Sequence, residues 1–206
     1  MNRRRPWIAA VLLFAAGCAS GPGRRTYVLT PPAGWAAGPV SDPGQPRVQL
    51  QPVFLPDYLD STDVLLRRGP HELKASQTAR WGERLSKGLT DALSAALAAR
   101  LGQDFMAYDQ GEESSARQIL VDVASCDLWP DGHCVLTASW TVLEKETHRV
   151  IGSDRAVFEI PAKDQGAVDD TALVAALARA VDELADRLAA GAATAARSDL
   201  PSEKLR

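Results

Sequence analysis

The sequence contains few of the residues on which most catalytic and metal sites depend. It has three histidines in 206 residues, His71, His133 and His148, and no two of them have the spacing of metal ligands on a helix. The sequence shows no nucleophile elbow. Its one Gly-Pro-Gly segment, residues 21–23, precedes no predicted helix and is therefore not a phosphate loop. We expect a protein that is not an enzyme and that holds neither a metal nor another cofactor.

The sequence also lacks an excess of positive charge and, with one exception, any long apolar run. Its 23 lysines and arginines against 26 acidic residues give a formal net charge of −3. A mildly acidic chain lacks the basic surface that nucleic-acid-binding proteins need, so we expect no nucleic-acid partner. Outside residues 6–16 no segment is apolar over the roughly 20 residues needed to span a bilayer.

The one apolar run belongs to an N-terminal leader. Residues 1–17 combine the basic Arg3-Arg4-Arg5 with the uncharged run 6–16 and the small residues Ala15-Ala16-Gly17, which is typical of a secretory signal peptide. Ala-Ala-Gly-Cys at residues 15–18 resembles the lipobox of bacterial lipoproteins, in which the cysteine receives a diacylglycerol and, after cleavage, its new amine is acylated. The resemblance implies that Cys18 is lipidated, with palmitate-type chains. The alternative is an ordinary signal peptide followed by a chance cysteine.

Lipidation at Cys18 would decide where the protein lies. Two or more acyl chains hold a protein stably on a membrane, whereas one chain does not. Residue 19 is Ala, not the Asp that retains enterobacterial lipoproteins in the inner membrane, so we expect a lipid anchor in the outer membrane and a periplasmic domain. Residues 18–26 are expected to form a short tether, residues 27–191 the folded domain, and residues 192–206 a disordered tail.

Apolar periodicity divides the domain into strands and two long helices. Thr78–Leu101 is a predicted helix, with Trp81 and leucines every four residues along one stripe. Ala167–Ala190 is a second helix that ends at Gly191. We expect a single α+β domain, in which a mixed, largely antiparallel sheet of four to six strands carries both helices on one face. The segments with strand character are 26–30, 47–55, 63–67, 72–75, 105–108, 118–127, 134–144 and 148–160.

The second and third cysteines, Cys126 and Cys134, form an even pair in an oxidising compartment if the first is lipidated. They flank the turn Trp129-Pro130-Asp131-Gly132 on two predicted antiparallel strands. Directly opposite residues then have a constant index sum, and only a sum of 260, with the loop at residues 128–132, would oppose the two cysteines. We expect a disulfide there. The alternatives are a shorter turn that offsets the sulfurs, or two small buried thiols.

Three residues outside the predicted core are candidates for contacts with a partner. Tyr58 lies in the loop between two predicted strands and is either a local staple or part of a protein contact. Arg67 and Arg68 end a predicted strand and are either solvated or in contact with a partner or with lipid headgroups.

Residues 48–85 carry a resemblance to a known family. The segments that carry it are Val48–Leu55, Leu55-Pro56-Asp57-Tyr58-Leu59-Asp60, Val64–Arg68 and Arg80-Trp81-Gly82-Glu83-Arg84-Leu85, in that order. They resemble the paraquat-inducible protein C family, the auxiliary lipoproteins of ABC-type or MCE-type lipid transport systems. Ala79 and Gly82 depart from the pattern, where the family often has histidine and alanine.

The resemblance implies a non-enzymatic outer-membrane subunit of a trans-envelope lipid transport system. Such a subunit docks the periplasmic conduit, built of an MCE-type protein, at the outer membrane and supports membrane integrity. Many such subunits assemble as rings, so the resemblance also implies a homo-oligomer. The alternative function is a periplasmic assembly or activator lipoprotein that acts on an outer-membrane protein or on peptidoglycan synthesis. Such activators usually carry long disordered linkers, and the tether here is short.

Overall fold

The structure is a computed structural model that describes residues 23–29, 47–107, 117–161 and 169–198, with side chains up to residue 194. The expected signal peptide, Cys18 and the start of the tether lie outside the described residues. The described elements in chain order are β1 (Arg25–Tyr27), β2 (Val48–Leu50), β3 (Asp63–Gly69), β4 (Glu72–Trp81), α1 (Leu85–Leu101), a 3₁₀ turn (Gly102–Asp104), β5 (Phe105–Met106), β6 (Arg117–Leu128), β7 (Cys134–Glu144), β8 (Val150–Ile160) and α2 (Asp170–Ser198).

The strand β6 is the centre of one mixed sheet. It pairs with β7 in the antiparallel sense along its whole length, and β7 pairs with β8 in the same way. The other edge of β6 is shared, because β2 lies parallel to its first residues and β3 reaches its last residue, Leu128. From β2 the sheet continues to β5, and from β3 it continues through β4 to β1.

This architecture confirms the predicted α+β domain with two long helices, but the sheet has eight strands rather than four to six. Three of the eight, β1, β2 and β5, coincide with the segments of strand character 26–30, 47–55 and 105–108, but contain only two or three residues each. All three pair in the parallel sense with segments distant in the sequence. The pattern indicated strand character in these segments but does not identify their parallel partners, so it did not give the bounds of the short strands.

One face of the sheet carries the core. Along β7 the alternate residues Cys134, Leu136, Ala138, Trp140 and Val142 are all buried. They belong to a single apolar cluster with the leucines of α1 and α2, and the two helices also contact each other through ion pairs of Arg100 with Asp182 and Asp186. The opposite face has no described element over it, and the side chains of Leu120, Val150 and Val157 are exposed there.

The first helix begins later than predicted. Residues 78–81 belong to β4, and α1 starts at Leu85. Trp81, expected on the helix stripe, is the buried last residue of β4 and donates its backbone N–H to the Thr62 carbonyl at 2.8 Å. Pairing of β4 with both β1 and β3 satisfies more backbone groups than an extra helical turn would, and it outweighs the four-residue spacing.

The second helix ends later than predicted. It continues through Gly191 to Ser198, so part of the segment expected to be a disordered tail is helical. Residues 192–196 are alanines and a threonine, and alanine has the highest helix propensity of all residues. Gly191 lies against the indole of Trp140, where an added Cβ would be 3.7 Å from Nε1.

Candidate functional site

The loop of residues 55–62 leads from the segment after β2 to the start of β3. On its way it passes the N-terminus of α1, with which Asp60 and Ser61 form hydrogen bonds. A turn at Pro56 closes the loop, with the Leu59 N–H donating to the Pro56 carbonyl at 2.9 Å. Leu55 and Leu59 are buried in the core and anchor the loop to it. Tyr58 lies between them in the sequence, and its side chain is 49% exposed. The loop is therefore fixed at both leucines and exposes the aromatic ring of Tyr58 to solvent.

Asp60, at the end of this loop, caps the N-terminus of α1. Its Oδ1 accepts a hydrogen bond from the Ser86 N–H at 3.1 Å, and its Oδ2 accepts one from the Arg84 guanidinium at 3.0 Å. The Leu85 N–H also donates a hydrogen bond to the Ser61 carbonyl at 3.2 Å. The first turn of a helix leaves N–H groups without intrahelical partners, and Arg84 at the N-cap supplies no side-chain acceptor. The loop therefore supplies the cap from outside the helix.

The electrostatics of this joint favour the ionised carboxylate. Partial burial works to raise the pKa of Asp60, but hydrogen bonds from Ser86 and from Arg84 lower it overall. The positive end of the α1 dipole acts in the same direction. Asp60 and Arg84 belong to two of the segments that carry the sequence resemblance, residues 55–60 and 80–85, and are 24 residues apart. No local spacing predicts such a contact, and our sequence reasoning did not connect the two residues.

Next to this joint, β1 closes on the Trp81-Gly82-Glu83 segment. The Gly82 N–H donates to the Tyr27 carbonyl at 2.7 Å, and a Cβ at Gly82 would lie only 3.0 Å from Val28 Cγ1. Glycine at this departure from the family pattern therefore allows β1 to approach closely. A shallow pocket opens here, lined by Tyr27, Val28, Leu29, Trp81, Glu83, Arg84, Leu85 and Gly88.

The three candidate partner-binding residues do not form one surface. Tyr58 lies before the first residue of β3, whereas Arg67 and Arg68 lie near its last residue, and five residues of strand span about 17 Å. Arg67 is held within the fold, since its Nε donates to Asp127 Oδ1 at 2.8 Å. Arg68 is exposed. The structure thus leaves Tyr58 and Arg68 as separate exposed positions and assigns Arg67 to an internal ion pair.

Comparison with known proteins gives the family. Residues 27–189 match the family model described as "ABC-type transport auxiliary lipoprotein component". The chain belongs to this family. The match covers nearly the whole described part of this auxiliary lipoprotein and includes both motifs that meet at Asp60 and Arg84. It confirms the resemblance to the paraquat-inducible protein C family and places the protein among auxiliary components of transport systems, which are not a class of enzyme.

Two solved structures support the fold. A crystal structure of a protein from Xanthomonas campestris is 17% identical, with a TM-score of 0.62, and the match covers 86% of this chain and 95% of that one. The crystal structure of an uncharacterised protein is 18% identical, with a TM-score of 0.64 and coverages of 81% and 97%. At these identities the likeness concerns the fold alone. None of the curated protein sequences matches the chain significantly.

The two cysteines of the auxiliary lipoprotein domain are free thiols rather than the expected disulfide. Leu128 pairs with Cys134 and Cys126 pairs with Leu136, so the index sum is 262 and the loop spans residues 129–133. The cysteines share a buried face but are diagonal neighbours. Such Cα atoms are about 7–8 Å apart, beyond the usual range for a disulfide. The hydrogen bond with Cys134, together with burial, raises the pKa of Cys126.

Neither a metal site nor a membrane-spanning helix occurs among residues 23–29, 47–107, 117–161 and 169–198. Within those ranges no three His, Cys, Asp or Glu side chains are grouped as metal ligands would be. The helices in the same ranges are too short or too polar to cross a bilayer.

Proposed function

We propose that the protein is a non-enzymatic lipoprotein subunit of a trans-envelope, MCE-type lipid transport system, anchored to the outer membrane through Cys18. In this role it docks the periplasmic conduit at the outer membrane and supports membrane integrity. The observation that carries the proposal is the family match over residues 27–189. The same match supports the non-enzymatic role, because the family consists of auxiliary components of transporters.

Tyr58 is the residue through which we propose that the partner is contacted. Exposed tyrosines are enriched at protein interfaces because they add a large apolar area and a hydrogen-bonding hydroxyl. The buried leucines on either side and the Asp60 cap fix its backbone, so little conformational entropy is lost on binding. Phe54, 62% exposed, precedes the same loop and is a second exposed aromatic residue of this segment.

Site-specific photocrosslinking in cells tests this function. A photoreactive amino acid in place of Tyr58 should capture an MCE-type periplasmic protein. The same replacement at Glu183, exposed on the outer face of α2, should not. Capture of an outer-membrane protein or a peptidoglycan synthase instead would contradict the proposal and favour the assembly or activator function. Equal capture at both positions would show that Tyr58 is not the contact.

We also propose that several copies assemble as a ring. Native mass spectrometry of the detergent-solubilised lipoprotein should give one defined oligomer of more than two copies. A monomer at micromolar concentration, in the absence of the partner, would contradict a pre-assembled ring.

A further inference from the structure

The direction in which the chain approaches its first strand is fixed by hydrogen bonds. β1 runs parallel to β4, with Arg25 paired to Ala79 and Tyr27 to Trp81. Arg24 is also held, because its guanidinium donates to Asp63 Oδ1 at 3.1 Å and to the Ser76 carbonyl at 2.6 Å. In a parallel pair both strands run the same way. Arg24 therefore lies on the side of Arg25 that faces the end of the sheet where β4 begins, at the β3–β4 turn.

The length of the tether matches the distance to that end. Cys18 precedes Arg25 by as many residues as Glu72, the first residue of β4, precedes Ala79. At 3.3–3.6 Å per residue, this stretch spans at most about 25 Å. A fully extended tether in the direction of β1 brings Cys18 level with the β3–β4 turn and no farther.

A second turn lies beside the β3–β4 turn. Leu66 of β3 pairs in parallel with Leu128 of β6. Both strands therefore end at the same end of the sheet, and the turns that follow them are neighbours. Arg68, Pro70 and His71 of the first turn are exposed. Trp129 of the second turn stacks on His133, with ring centroids 5.2 Å apart. We call these five residues the turn surface.

The turn surface has the chemistry of a membrane–water interface. Tryptophan and arginine occur at the level of lipid headgroups because each combines an apolar body with a polar tip. Arg68 is available there, whereas the neighbouring Arg67 is neutralised by Asp127. Asp131, the acid of the second turn, is engaged by His133, whose backbone N–H donates to its carboxylate at 3.2 Å.

We propose that the turn surface lies on the lipid bilayer that holds the Cys18 anchor, with Arg68 and Trp129 among the headgroups. This inference rests on the lipidation of Cys18 in the proposed function. The β7–β8 turn then points away from the membrane, because β7 has 11 residues and separates the two ends by about 33 Å. The periplasmic partner approaches from the side opposite to the turn surface.

Fluorescence quenching on vesicles tests this orientation. The intact lipoprotein carrying His71→Cys or Glu146→Cys is labelled with a thiol-reactive fluorophore. Both positions are exposed, Cys126 and Cys134 are buried, and the thioether would block Cys18. The labelled proteins are reconstituted into phosphatidylethanolamine–phosphatidylglycerol vesicles that contain a lipid with a nitroxide on its headgroup. Quenching at position 71 should exceed quenching at position 146 by at least fivefold.

Three results would overturn the orientation. Equal strong quenching would mean that the domain lies on its side, stronger quenching at position 146 would mean the reverse orientation, and weak quenching at both would mean a domain held off the membrane. Mass analysis of the N-terminal peptide separates this inference from the proposed function. A lipidated Cys18 with any of these three results removes only the orientation, whereas an unmodified Cys18 removes the anchor and the orientation together.

The contact of Arg68 with headgroups has a test of its own. In vesicles that contain phosphatidylglycerol, Arg68→Glu should reduce the quenching at position 71 at least twofold. Arg155→Glu, which makes the same charge change at an exposed position on β8, should leave it unchanged. Equal reductions would reflect general attraction of charge to the vesicle and would contradict a contact at Arg68.

Discussion

The carboxylate of Asp60 joins two segments that are distant in the sequence. It closes the loop that presents Tyr58 and satisfies the first turn of α1 at the same time. A helix whose own N-cap residue has no acceptor needs one from elsewhere. The stability of the helix and the position of the candidate partner contact therefore depend on one side chain.

Replacement of Asp60 should weaken both. Asp60→Ala should lower the free energy of unfolding by about 1–2 kcal/mol, the usual effect of losing an N-cap, as measured by urea denaturation. Asp57→Ala is the matched control, because Asp57 is exposed in the same loop, and it should change stability by less than about 0.5 kcal/mol. Equal losses in the two variants would contradict the capping role.

The same contact predicts a pH dependence. The hydrogen bonds from Ser86 and Arg84 hold the pKa of Asp60 in the folded protein below its value in the unfolded chain, so its contribution to stability is complete above the unfolded pKa. It is lost as the pH falls through the lowered folded pKa. The stability difference between the wild type and Asp60→Asn should therefore be constant from pH 7 to 5 and shrink below about pH 4. A difference that grows on acidification would contradict this sign.

Cys126 and Cys134 should behave as inert thiols. Both are buried, and a raised pKa leaves little of the reactive thiolate of Cys126 at neutral pH. We expect the native domain to react with a maleimide at pH 7 at least a hundredfold more slowly than the urea-unfolded protein, which should expose two thiols. An intact mass lower by two hydrogens without reductant would show a disulfide, and hence a strand register other than the one described.

The helix α1 shows which patterns in the sequence were informative. Its apolar stripe is buried as predicted, with Leu89, Leu93 and Leu97 fully enclosed. Leu93→Asp should destabilise the domain by more than about 4 kcal/mol or prevent folding, because it places an unpaired charge in the core. Lys87→Ala removes only exposed ion pairs with Glu83 and Asp91 and should cost less than about 1 kcal/mol. Similar shifts in melting temperature would contradict the assigned face.

Long elements were predictable because each repeats its own period many times. The bounds predicted for β7, Cys134–Glu144, are those of the structure, since an alternation over 11 residues has only one interpretation. The start of α1 was not predictable, because residues 78–81 fit a helical stripe and become a strand only through pairing with β1 and β3. For β1, β2 and β5 strand character was predicted, but their bounds depend on parallel partners that the sequence pattern does not identify. The Asp60 cap is likewise a tertiary contact without a local signal.

The β6–β7 register was limited in a different way. Sequence patterning did not reveal the β-bulge between Val123 and Ser125, which shifts the alternation of β6 by one residue and brings Cys126 to the buried face that Cys134 shares. It did not give the loop length, which depends on how residues 129–133 bond to each other. The Trp129 N–H donates to the His133 carbonyl at 3.0 Å, and the Gly132 N–H donates to the Trp129 carbonyl at 2.9 Å. Gly132 has a φ of 93°, which glycine adopts without strain.

The proposed contacts with the membrane and with the partner lie at opposite ends of the domain. The turn surface lies at one end of the sheet and the β7–β8 turn lies at the other, so a membrane and a periplasmic partner can be contacted at the same time in the proposed orientation. In the proposed orientation the lipid on Cys18 is the firm attachment to the membrane. Headgroup contacts by a few side chains are weak compared with acyl chains.

Loss of the anchor should therefore release the whole domain while leaving it folded. Cys18→Ala should give an uncleaved precursor or a product in the periplasmic soluble fraction, since no acyl chain remains to hold it. Cys126→Ala, which removes a different thiol, should stay with the outer membrane. The measurement is membrane fractionation with immunodetection, together with the melting temperature of the isolated domain, which should be within about 2 °C of the wild type. If Cys18→Ala is processed normally and still sediments with outer membranes, the attachment is not a lipid on Cys18, and the orientation that the tether imposes on the turn surface must be abandoned with it.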